Sequence, residues 1–232
     1  MSVDLSAGTD RYVLSGNLTT GALVSYGAWI LPTGMGGVNS GTIFAHGVSG
    51  SIREQLQFAG GAGSNKLQYK CQRATTNGTW EMTTGFGTLT RWRWVGVTYD
   101  GGSVGNHPIL YIWEQGVWSV LTNGAGLTRT STPSGALSAD GQALRLGNIS
   151  ALSQQWAGYI AHLFAYGRIL TEAEMRLVAE RGARRLPRNG LFSWPGVRAV
   201  SGAIKDEWAA LDGTLSGTGT AIATAEHPPA RW

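Results

Sequence analysis

Between Trp156 and Met175 the chain runs WAGYIAHLFAYGRILTEAEM, and its hydrophobic period changes once, at a helix cap. Up to Tyr166 the pattern is that of a strand. Gly158, Ile160, His162, Phe164 and Tyr166 fall on one face and Tyr159, Ala161, Leu163 and Ala165 on the other. Both faces are apolar, which predicts a central strand with His162 as a hydrogen-bonded core residue. Thr171 then stands three residues before Glu174, the spacing of a reciprocal capping box. Met175, Val178, Ala179 and Gly182 recur at helical spacing, Glu172 is four residues before Arg176, and Gly182 supplies a stop. One short α-helix is expected near residues 172–182.

The rest of the chain is β-patterned and cut by glycine. Of 232 residues 35 are Gly, and the clusters at 34–37, 60–63, 101–102 and 124–126 have the composition of turns between short strands. Many strands with a single helix exclude a βαβ sheet and predict an all-β, two-sheet antiparallel sandwich. A chain of this length buries roughly 70–75% of its unfolded surface, enough for one core without covalent staples. Residues 191–232 are rich in Gly, Ala and Thr and too weakly apolar for a core of their own. They are expected to wrap or complete the sandwich of residues 1–190, adding strands at 191–194 and 221–224.

The segment with the period change resembles the laminin G-like branch of the concanavalin A-like jelly rolls. Gly158, Ile160, Tyr166, Arg168, Leu170, Thr171 and Glu174 stand at the places of that family's helix-closing signature. AWILP at 28–32, GTIFAHG at 41–47, WRWVGVTYDG at 92–101, LYIW at 110–113 and LRLGN at 144–148 continue the series. The resemblance covers roughly residues 10–182. The tail, with Leu191–Pro195, Asp212–Gly217 and Glu226–Pro229, resembles the end of such proteins encoded by tailed bacteriophages and their prophages.

Several function classes are disfavoured by the residues themselves. Cys71 is the one cysteine and lies in the strand-like KLQYKCQR, where alternation predicts a packed side chain. No intrachain disulfide is possible, which suits assembly in a reducing cytoplasm. No signal peptide and no apolar membrane span is expected. The net charge of +4 comes with 15 Arg against 3 Lys. RGARRLPR at 181–188 suits a helix C-terminus better than phosphate, so nucleic acid is not the expected partner. The scattered arginines are expected to lay their stems over strand edges.

Glucan hydrolases on related folds need two carboxylates about 5–10 Å apart, but no strand here carries acids two or four residues apart, and E-x-D-x-x-E is missing. His46, His107, His162 and His227 have no triad or zinc spacing, and no G-x-S-x-G elbow occurs. No enzymatic activity is therefore expected. No cofactor is expected either, with calcium the one candidate. Relatives bind calcium at a loop rim, but Trp113 replaces the Asp of their "YvDG", and Asp100 and Asp140 are more simply turn formers.

Ten tryptophans remain to be explained. Trp92 and Trp94 share one strand face, with Val95, Val97 and Tyr99 on the other. Trp113 and Trp118 flank a hairpin tip and Trp80 follows the turn Asn77-Gly78, so Trp80, Trp113 and Trp118 are the expected platform for stacking on a sugar ring. The resemblance implies a non-enzymatic virion protein of a tailed bacteriophage, a capsid decoration or head-surface component that binds a major capsid or tail protein as a homo-oligomer. The alternative is a glycan-binding, lectin-like adhesion module; a glycoside hydrolase comes third.

Overall fold

The computed structural model describes residues 2–4, 11–36, 40–48, 51–59, 64–149, 154–182, 185–186, 190–193, 203–204, 213–216 and 223–224. They form two layers. Layer A runs in the order β17 (Ala223–Thr224), β1 (Ser2–Asp4), β13 (Gly158–Tyr166), β3 (Leu23–Pro32), β8 (Arg93–Asp100), β9 (Ile109–Glu114) and β10 (Val117–Asn123), with β14 (Phe192–Ser193) also along β13. Layer B runs β15 (Ala203–Ile204), β16 (Gly213–Ser216), β2 (Arg11–Leu18), β12 (Gln142–Leu146), β4 (Thr42–Val48), β5 (Ser51–Ala59), β6 (Lys66–Cys71), β7 (Gly78–Met82) and β11 (Gly126–Ser131). Every pairing within a layer is antiparallel. A short parallel contact, Thr122 beside Gly126, joins β10 to β11 and makes the curled whole a mixed sheet. The described tail strands pair with β13, β2 and β1, and so belong to both layers.

Between the layers lies an aromatic core. Tyr26 meets Phe44 at 4.4 Å between ring centroids, Phe58 stacks on Trp156 at 5.2 Å, and Tyr99 contacts both Tyr69 and Trp80. Val95 and Val97 fill the space on the same inward face of β8, as their alternation with Trp94 predicts. Cys71 is buried here, its thiol 3.4 Å from the Tyr99 hydroxyl.

A second core covers the outer face of layer A. Trp29, Trp94, Trp113 and Trp118 are directly opposite one another on β3, β8, β9 and β10, and Ala161 of β13 continues the row. Directly opposite residues of antiparallel strands point the same way, so four indoles share this face. The helix α1 (Glu172–Arg181) lies over them and buries Met175, Val178 and Ala179. Gly27 and Gly96, also opposite one another, leave the room that Trp94 and Met175 occupy.

The helix is held at both ends. Thr171 Oγ1 accepts from the Glu174 amide at 3.3 Å while Glu174 accepts from the Thr171 amide at 2.8 Å, the expected capping box, and Gly182 closes the C-terminus with φ 81°. Arg168 adds a bond to Glu174 at 2.6 Å. The expected Glu172–Arg176 pair is not made. Glu172 instead accepts from the Trp118 indole, and Arg176 turns to Glu180.

Two further expectations are corrected. A β-bulge between Ala161 and Phe164, with His162 at φ 51°, adds one residue to β13 and reverses the faces beyond it. Ile160, Leu163 and Ala165 point into the inner core, whereas Ala161, Phe164 and Tyr166 face the helix. His162 is the half-buried bulge residue, not a core histidine on a regular strand. The arginines also do more than cover edges. Arg53, Arg73, Arg93 and Arg145 are buried and donate to backbone carbonyls: the first three to loop residues, Ser138, then Gly101, Ser103 and Gly135, then Thr88 and Leu89, and Arg145 to Gly47 of β4.

A Cβ added at Gly96 would lie 2.5 Å from the Trp94 ring and 2.6 Å from Met175 Cε. Gly96→Val is expected to lower the unfolding free energy by about 2 kcal/mol. Gly87→Ala, with nothing within 4 Å of its Cβ, should stay within about 0.5 kcal/mol; urea unfolding measures both. Glu174 gives a pH dependence. The Arg168 bond, followed by the Thr171 amide and hydroxyl, draws its pKa down to about 2. A folded-state pKa below the unfolded one means stabilisation that is complete above the ordinary carboxylate range and is lost as pH falls toward about 2. Wild type is expected to lose stability over that window, and Glu174→Gln to lose less of it, in unfolding titrations at about pH 6 and about pH 2.5.

Candidate functional site

The three tryptophans expected to form a platform do not come together on an open surface. Trp80 of β7 is fully buried between the layers, where its indole N–H donates to His107 Nδ1 at 3.0 Å. That bond keeps Nδ1 an acceptor. Burial, then the charge of Arg129, draws the His107 pKa below its ordinary value. Trp113 is 7% exposed and packs edge-on against Trp29. Trp118 is half-buried, stacked on Trp94 at 5.6 Å, with the Arg176 guanidinium 5.7 Å from its ring and its N–H on Glu172. The helix uses the ring surface that a sugar would need. An indole that packs and one that stacks on a ligand look alike in a sequence.

The hairpin carrying Trp113 and Trp118 has a second face. Gln115 and Gly116 form its two-residue tip with φ 51° and 86°, the left-handed pair of a type I′ turn. Ile112, Glu114, Ser119 and Leu121 therefore point inward, toward the segment after β7. Between them lies a groove of about 310 Å³, open on one side.

Its opposite wall is residues 82–86, with Met82 and Phe86 as apolar contacts and Thr83 and Thr84 as hydroxyls. That wall is clasped. The Phe86 amide donates to Asn65 O at 2.8 Å, Asn65 Nδ2 donates back to Phe86 O at 3.1 Å, and the Thr83 amide donates to Gly126 O at 3.0 Å. A Cβ on Gly85 would lie 1.8 Å from Ser64 O, so only glycine lets the two segments approach this closely.

Glu114 is the one ionisable group among the described residues of the groove's lining. Arg93, 1% exposed, holds its Oε1 at 2.7 Å. The same guanidinium donates to the carbonyls of Thr88 and Leu89 and lies 4.5 Å from the Phe86 ring centroid. A fork of five donors serves these partners at once, which an ammonium does not. Glu114 Oε2 and the hydroxyls of Thr83, Thr84 and Ser119 have no protein partner among the described residues. The groove thus offers one fixed anionic acceptor and three uncommitted hydroxyls above an apolar floor.

Other polar clusters are enclosed or structural. His46, Glu54 and Tyr26 meet inside the sandwich, His46 Nδ1 at 2.9 Å from Glu54 and His46 Nε2 at 2.8 Å from Leu18 O, but each is at most 1% exposed. Burial, then the Glu54 carboxylate, pushes the Tyr26 phenol well above its ordinary pKa. No substrate reaches this set. Asp100 accepts from the Gly102 amide, and Asp140 from the amides of Thr20, Gly21 and Gly141, so both build turns. Among the described residues no three of His, Cys, Asp and Glu gather as metal ligands, and no helix is long and apolar enough to cross a membrane. Arg181 and Arg185 of the basic cluster are described; Arg184 and Arg188 lie outside the described residues, as do Asp206, Glu207 and His227.

No protein-family model matches the chain, and no curated protein matches it in sequence. Among solved structures it is similar to the native heptameric SAP-like pentraxin of Limulus polyphemus, with 15% identity and a TM-score of 0.58 over 92% of this chain and 94% of that one. It is similar also to a putative carbohydrate binding protein of Bacteroides ovatus, with 15% identity and a TM-score of 0.61 over 97% of this chain but 60% of that one. Domains LG4-5 of the mouse laminin α1 chain align over 71% of this chain and 40% of theirs, at 9% identity and a TM-score of 0.48. The layers, the capped helix and the first two of these likenesses agree on the fold, a concanavalin A-like jelly roll.

Proposed function

We propose that the chain is a non-enzymatic, lectin-like carbohydrate-binding module, with the sugar seated in the groove between the inner face of β9–β10 and residues 82–86. One observation carries this reading: a carboxylate fixed on one oxygen and free on the other, beside three uncommitted hydroxyls and the side chains of Met82 and Phe86. A sugar residue presents the complementary surface, hydroxyl donors around its edge and C–H groups on its faces. The groove volume is at the lower end of ligand pockets, about 300–1,000 Å³, and suits a single ring. The fold shared with a protein described as a putative carbohydrate binding protein supports the same class.

Glycoside hydrolysis would need a second carboxylate about 5–10 Å across the bond to be broken, and Glu114 is the one carboxylate among the described lining residues. The glycan reading also has more support than a capsid-decoration role, because of the two similar structures above that align over 92% or more of this chain, one is described as a putative carbohydrate binding protein and the other as a pentraxin. A single shallow site of this kind is worth about 4 kcal/mol, or millimolar binding. Display in many copies raises the avidity, which gives the expected homo-oligomer or a virion surface a use.

Ser119 sits mid-strand with its hydroxyl in the groove, so Ser119→Phe fills the site from a half-exposed position. On a glycan array, wild type is expected to give saturable sugar signals and Ser119→Phe to lose at least tenfold in affinity at an unchanged unfolding midpoint. A wild type that binds no glycan, or a variant that binds as wild type does, contradicts the proposal.

A further inference from the structure

We infer that the groove takes neutral sugars and rejects acidic ones without a metal ion, and that Glu114 is the residue that discriminates. This inference rests on the groove being the glycan site and adds its ligand class. Among the described residues Glu114 is the one charged group in the lining, and no described Lys, Arg or His contributes to it. The counter-charge of Glu114 is Arg93, 1% exposed behind Phe86 and Glu114, with its two terminal nitrogens on Glu114 and on the carbonyls of Thr88, Leu89 and Arg91. Among the described residues that line the groove, no cation is available to a bound carboxylate or sulfate. An acidic sugar in the same pose sets its charge against Glu114, whereas a neutral one presents hydroxyl protons to Glu114 Oε2.

The pairing with Arg93 also fixes the carboxylate in place. Bonds to an ionised acceptor are about twice as strong as those between neutral groups, and this acceptor loses no rotamer freedom when a ligand arrives. Thr83, Thr84 and Ser119 are able both to donate and to accept, so they add affinity without selecting by charge. Calcium takes about six to eight oxygens, commonly with several carboxylates among them. A groove with one carboxylate, already engaged on one oxygen, is a poor calcium site, so the selectivity belongs to the protein's own side chains.

The test compares glycans matched except at the terminal residue, glucose or galactose against glucuronic or sialic acid, in EDTA, by calorimetry and on an array. Neutral termini are expected to bind in EDTA, and acidic termini at least tenfold more weakly. In Glu114→Gln, which keeps an acceptor for Arg93, the gap is expected to close to within about threefold, mostly through weaker neutral binding. Acidic termini binding as tightly as neutral ones, a gap unchanged in Glu114→Gln, or neutral binding abolished by EDTA each overturn this inference, while loss in Ser119→Phe still upholds the groove as the site. If neither class binds wild type, the carbohydrate reading itself falls with it.

Discussion

The rest of the structure depends on the docking of one ten-residue helix onto a row of tryptophans. The central strands of layer A, β13, β3 and β8, are mostly buried on both faces, with the sandwich core on one side and α1 on the other, and a short helix keeps that place because its first turn is capped and paired. Thr171, Glu174 and Arg168 hold the end, and Met175, Val178 and Ala179 fill the surface between the indoles. Burying a Met or Val side chain is worth about 2 kcal/mol. An isolated helix of this length is marginal in water, so its stability comes mainly from that packing. The consequence for function is spatial: the tryptophan-bearing face is occupied, and the open concave surface of the hairpin is the opposite one.

Buried arginines organise the loops that the sandwich cannot hold by strand pairing. Arg53 and Arg73 gather the turns around residues 21, 101, 135 and 138, and Arg93 gathers those around 88–91. Each replaces several backbone bonds that irregular segments would otherwise leave unmade. This explains why these buried positions hold Arg and not Lys, since only a guanidinium spreads five donors in a plane. Arg93 links the two themes, because the side chain that holds a loop in place also fixes the one acid in the groove.

Much of this was legible in the sequence. The capping box, the glycine stop, the hairpin tip and the opposed faces of Trp94 and Val95 all follow from local spacing, and the structure agrees with each. The bulge at His162 was hidden because its left-handed backbone carries no Gly or Asn to announce it. The groove was hidden for a different reason: its walls come from residues 82–86 and 112–121 and meet only when β10 curls toward β11. One signal did point there. Arg93 alternates with Val95 and Val97 on the inward face of β8, and a charge at such a position demands a buried acceptor. Glu114 supplies it from the neighbouring strand.

The central claim is that ligand is bound on the inner face of the β9–β10 hairpin and not on its tryptophan face. Amide and indole chemical-shift mapping by NMR during titration with a neutral saccharide tests this most directly. The account predicts shifts at Thr83, Thr84, Gly85, Glu114 and Ser119, with the indole N–H signals of Trp113 and Trp118 and the amides of α1 unmoved. Shifts centred on Trp118, Glu172 and Arg176 would contradict it.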